Sequence, residues 1–175
     1  MAASGHQQIR FSRFLWALTP GASVLLCIFL MLLPYGQVAG RFVTPALPLI
    51  PLYYWTVHRP ELLPPVLIFL LGLLQDLATA GPVGVWPVVY LIAYSVTLSQ
   101  RSAIEGLPMR FAWAAFAAIA LAGLLAGWFA CSIYMGGFVS VLPMVLQAFT
   151  TALVFPVLGW LLVFVEGEIA IAMRH

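Results

Sequence analysis

Lysine is absent and charge of either sign is scarce: seven arginines and five carboxylates make up 7% of 175 residues. A soluble domain carries roughly a quarter charged residues, so this chain has too little charge to cover a globular surface in water. Its arginines are scattered and the net charge is only +2, which excludes the basic stripe that nucleic-acid binding needs. Cysteine is nearly missing as well. Cys27 and Cys131 each stand alone in an apolar run, at no metal-ligand or Cys-x-x-Cys spacing, and read as small buried hydrophobes. There is no Walker loop, no His-Glu-x-x-His and no Gly-x-Ser-x-Gly. His6 and His175 are terminal and His58 lies in a polar turn, so all three read as interfacial residues. No nucleophile-base-orienter set can be assembled, and neither a cofactor, a metal nor an enzyme is expected.

What fills the chain instead is apolar sequence, 64% of it, with a mean hydropathy of +1.09. The expectation is an all-α membrane protein: one polytopic domain over residues 1–175, built as a six-transmembrane-helix bundle. Spans of about 20 residues are what a bilayer requires. The runs predicted to supply them are 14–33, 42–57, 62–80, 83–99, 111–134 and 138–165.

The first run follows Arg10 and Arg13 and reads as a signal anchor kinked at Pro20-Gly21, with cleavage after Ala39 as the alternative. The second contains Pro45, Pro48 and Pro51, each of which removes a backbone donor. It therefore reads as an extended or re-entrant start followed by helix through Leu52 to Val57, with the irregular part buried in protein or lining a wet cavity. The last run is long enough to tilt or to break near Pro143 or Pro156. Six spans put Arg10, Arg13, Arg59, Arg101, Arg110 and Arg174 on one side and only Arg41 on the other. Both termini are thus expected to be cytoplasmic. Every one of the six tryptophans falls within about two turns of a span end, as an aromatic belt requires.

The third run carries the one carboxylate inside a span, Asp76. Burying it costs about 2.5–3.5 kcal/mol on insertion scales, so something must use it. Gly72 shares its face four residues earlier, and the turn Gly81-Pro82-Val83-Gly84 follows. Two roles stand open: a carboxylate that pins this turn, bonding turn backbone, Tyr90 or Tyr94, or a proton, ion or ligand site. No second titratable group lies in the membrane, and the pinning role is preferred. In the fifth run Ala120, Gly123, Gly127 and Cys131 form a small-residue stripe suited to close packing, within the chain or between copies. Gln147, Thr150 and Thr151 offer hydrogen bonds between helices. Arg59 and Glu61 flank Pro60 in a solvated turn, with a partner contact as the sharper alternative.

Pro48, Pro51, Tyr54 and Trp55, then Arg59-Pro60, then Phe69-x-x-Gly72-Leu-x-x-Asp76, then Gly81-Pro-x-Gly84, resemble in order and spacing the rod shape-determining protein MreD family, over about residues 45–100. The resemblance implies a non-enzymatic inner-membrane scaffold of the bacterial cell-elongation machinery. It implies an MreC-like single-pass partner and, through a wider complex, links to MreB, RodA and penicillin-binding protein 2, hence to rod shape and lateral peptidoglycan synthesis. It also implies a fold similar to the six-helix substrate-binding subunit of energy-coupling-factor transporters. Gly72, Asp76, Gly81 and Gly84 match the family's Gly-x-x-x-Asp and following glycines, and Arg59-Pro60 its preceding loop. Pro64-Pro65 and the short tail depart from the pattern. The competing expectation is a small-molecule-binding subunit of a membrane transporter, with Asp76, Tyr90, Tyr94 and Gln147 lining a pocket.

Overall fold

The computed structural model describes residues 18–33 and 44–172, with side chains to residue 167. Arg10, Arg13, Trp16, Ala39, Arg41 and Arg174 lie outside the described residues, and the expectations resting on them are not addressed by the fold. The described residues hold no strand. They form six helices: α1 (Leu18–Met31), α2 (Leu49–His58), α3 (Pro65–Thr79), α4 (Val85–Ile104), α5 (Met109–Tyr134) and α6 (Leu142–Ala172), with a 3-10 turn at Pro60–Leu62. Two stretches, Met109–Tyr134 and Leu142–Gly167, are long and apolar enough to cross a membrane.

The shortest helix, α2, is the centre. It is apolar or aromatic nearly all round, so no face of it favours solvent, and every residue from Leu49 to Val57 is buried. Helices α4, α5 and α6 pack on it, and α1 joins through Trp55, whose indole Nε1 donates to Ser23 Oγ at 2.9 Å. Helices α3, α4, α5 and α6 each pack on the next in chain order. An aromatic cluster ties α2 to the two long helices: Tyr53 meets Phe116 at 5.3 Å and Phe155 at 5.8 Å between ring centroids, and those two stack at 4.3 Å.

Helix ends depart from the expected runs at several points. The run at 42–57 holds a helix of only 10 residues, about 15 Å at roughly 1.5 Å per residue, after the irregular start expected of it. The prolines are the cause, since Pro48 takes the N-cap position and Pro51 falls in the first turn. Residues 44–48 are non-helical, and α6 satisfies them: Thr151 Oγ1 accepts from Ala46 N–H at 2.8 Å, and Gln147 Nε2 donates to Thr44 O at 2.9 Å. Helix α3 begins at Pro65 rather than Leu62, because Pro64 is extended and Pro65 suits a first turn. The α4 helix runs five residues past Ser99, held there by Arg101, whose Nε donates to Val57 O at 2.7 Å. This guanidinium caps the carbonyl end of α2, where a cation is favoured. α5 starts at Met109, directly after Pro108. α6 starts at Leu142, not Phe138, with Pro143 in its first turn. It continues unbroken past Pro156 and into the expected tail as far as Ala172, and Tyr54 Oη donates to Glu166 Oε2 there. α1 is likewise continuous helix across Pro20-Gly21 among the described residues.

Candidate functional site at the α3–α4 turn

Helix α3 ends where Ala80 enters the left-handed region (φ 50°) and gives its N–H to Asp76 O, which also accepts Gly81 N–H at 3.2 Å. The chain then reverses, and α4 opens on Gly84 at φ 103°, a backbone conformation suited to glycine. An N-cap residue ordinarily supplies a side-chain oxygen to the exposed N–H groups of the first turn. Gly84 has none. Asp76 supplies it from the preceding helix: Oδ2 accepts Gly84 N–H at 2.6 Å, and Oδ1 accepts Trp86 N–H at 3.1 Å. The carboxylate is 1% exposed and faces the positive end of the α4 dipole. Val85 N–H reaches Pro82 O at 3.4 Å and Pro87 has no N–H, so this helix end offers no donor to an anion.

One turn earlier the two helices touch through backbone. A Cβ on Gly72 would stand 2.6 Å from both N and Cα of Pro87. Gly81 is different: a Cβ there meets only Thr79 Oγ1, at 3.4 Å. Of the three glycines flanking Asp76, Gly72 is needed for space and Gly84 for conformation.

Tyr90 does not bond Asp76, as one reading of the sequence had it. Its hydroxyl donates to Gln75 Oε1, and Gln75 Nε2 reaches Met31 Sδ at 3.1 Å, joining α1, α3 and α4 in a bond chain of buried groups. Sequence reasoning passed over Gln75, although a second polar residue beside Asp76 in an apolar run was signal enough. Replacing Tyr90 with Phe removes the donor and strands a buried amide oxygen. We expect a loss of about 1–3 kcal/mol, measured by unfolding in detergent, and almost none for the exposed Ser95→Ala.

The other candidates lie apart. Gly123 and Gly127 face α4: a Cβ on Gly127 would stand 2.4 Å from Val89 Cγ2, and one on Gly123 3.1 Å from Val89 O. The small-residue stripe of α5 is therefore occupied within the chain. Arg59 is the C-cap of α2, at the far end of α3 from Asp76, with its guanidinium 4.0 Å from both Glu61 and Glu166. A cavity of about 260 Å³ opens between α4, α5 and α6, lined by Trp86, Trp128 and Gln147 among others. Asp76, Tyr90 and Tyr94 do not line it, so the four residues expected to share a pocket are not brought together. Cys27 and Cys131 are free thiols, and no three His, Cys, Asp or Glu side chains gather among the described residues.

Compared with protein-family models, curated proteins and solved structures, the chain matches none significantly.

Proposed function

We propose that this chain is a multi-pass, six-span scaffold of the bacterial inner membrane, with both termini cytoplasmic, acting as an MreD-like component of the cell-elongation machinery. It would bind the transmembrane helix of an MreC-like protein and support rod shape and lateral wall synthesis alongside MreB, RodA and penicillin-binding protein 2. The observation that carries this reading is the use made of the resemblance's own residues. Gly72, Asp76 and Gly84 build one closely packed helical hairpin, and the Asp76 carboxylate is consumed by two backbone N–H groups rather than offered to a ligand. A polar group used in this way specifies shape. The outside supports the same reading. Val66, Leu77, Ile133 and Val157, on three different helices, are each about two-thirds exposed, which suits hydrocarbon and not water.

The test is co-purification from the native host, using a C-terminal tag and mild detergent. We expect an MreC-like single-pass protein and wall synthases. The yield of that complex should fall several-fold for Asp76→Ala and much less for Arg59→Ala, whose side chain is half-exposed. Recovery of ATPase subunits with a second membrane protein would overturn the scaffold reading in favour of transport. Equal near-wild-type yields for both variants would show that the Asp76 hairpin does not set partner binding.

A further inference from the structure

Helices α1 and α3 to α6 form an incomplete ring. α1 sits against α3, where Gln75 meets Met31 and a Cβ on Gly21 would touch Leu67 at 3.4 Å. α3 to α6 follow in order, and between α6 and α1 a groove of about 430 Å³ remains. One wall runs along α1 from Leu18 to Leu30, the other along α6 from Leu158 to Val165, and Pro51 and Trp55 form the floor. Ser23, one of its few polar groups, is spent on Trp55 and on Pro20 O. Water does not settle in so apolar a hollow, and an empty one forfeits contacts along its whole lining.

Length and charge identify what fills it. From Leu18 to Leu30 the α1 wall rises about 18 Å at roughly 1.5 Å per residue, close to one leaflet of a core about 30 Å thick. A crossing helix would need a seat nearly twice as long. The groove ends at Val165, beside Glu166, which lies 4.0 Å from Arg59; Arg59 in turn lies 4.0 Å from Glu61. The Arg59 and Glu61 side chains are 47% and 59% exposed. An apolar channel of single-leaflet length thus closes on an exposed cation and anion side by side. That is the charge pattern of a zwitterionic headgroup, and the second carboxylate disfavours an anionic one.

We propose that a phosphatidylethanolamine of the arginine-side leaflet docks here, one acyl chain lying on Pro51 and Trp55 and the headgroup phosphate and ammonium meeting Arg59 and Glu61. This rests on the membrane placement proposed above, and not on any protein partner. The test is native mass spectrometry of the full chain in mild detergent, after incubation with an equimolar mixture of phosphatidylethanolamine and phosphatidylglycerol. Wild type should retain one phosphatidylethanolamine per chain. Ala22→Phe, which fills the groove from an exposed position, should lower that retention at least fivefold, and Leu153→Phe, exposed but outside the groove, should not. Leu26→Trp, from a position 60% exposed, repeats the block should Ala22→Phe not fold. Glu61→Gln should reduce the preference over phosphatidylglycerol. No lipid on wild type, equal retention in the groove-filled variants, or a wild-type preference for phosphatidylglycerol would each overturn the proposal. No partner protein enters this assay, so its failure and a failed co-purification are separate results.

Discussion

Asp76→Ala should cost about 3–5 kcal/mol of stability, one of the two largest losses expected here from a single substitution. Two hydrogen bonds end on that carboxylate, at 2.6 and 3.1 Å, and each bond to a charged group contributes about 1.5–3 kcal/mol. Alanine leaves the N–H groups of Gly84 and Trp86 without an acceptor at a helix end whose N-cap residue has no side chain. Water cannot stand in cheaply where the carboxylate was 1% exposed. Asp76→Asn should fall between the two, because one oxygen survives as an acceptor while the amide NH2 faces a backbone donor. The measurement is an unfolding titration with sodium dodecyl sulfate in mild detergent, joined to hydrogen exchange at residues 84–86. Faster exchange confined to the start of α4 in both variants is expected. Variants within about 1 kcal/mol of wild type would show that the carboxylate is not held for structure.

How far these features were legible depends on whether their cause is local. The Asp76 cap was within reach because its elements are close in sequence: an apolar helix, a carboxylate near its end, and a Gly-Pro-x-Gly turn too short to carry it away. Gly72 showed itself through spacing alone. The prolines at 45, 48 and 51 announced irregular backbone and a short helix after it, but not that α2 would become the centre of the bundle. That follows from contacts with helices far along the chain. The hydrogen bonds from Gln147 and Thr151 to residues 44–46 join positions more than 100 apart, and no periodicity reports such a pairing. Helix ends failed for the same reason. Arg101 and Glu166 look like loop and tail residues until Val57 and Tyr54 are brought to them. Gln75 was legible as a second polar side chain beside Asp76 in an apolar run, although its partners Tyr90 and Met31 lie on other helices.

The second large effect is Gly72→Ala, and here the series around it carries the argument. The new Cβ would lie 2.6 Å from N and Cα of Pro87, where carbon contacts ordinarily sit at about 3.5–4.0 Å. Both opposing atoms are backbone of a proline within a helix, so no rotamer change relieves the clash. α3 and α4 must separate by roughly 1 Å, which stretches the bonds from Asp76, one turn away, out of range. Overpacking alone costs about 1–3 kcal/mol, and the strained cap adds to it, so a loss of about 3 kcal/mol or more is expected. Gly84→Ala meets no atom within 4 Å but must hold φ 103°, and should cost about 1–2 kcal/mol. Gly81→Ala faces neither obstacle and should stay close to wild type. Because Gly72 and Asp76 act on the same helix contact, the double variant Gly72→Ala with Asp76→Ala should lose less than the sum of its parts, by more than about 0.5 kcal/mol. Strict additivity would mean that close packing and the cap stabilise the hairpin independently. A Gly81→Ala loss as large as that of Gly72→Ala would mean that the turn, rather than the helix contact, sets the geometry of the site.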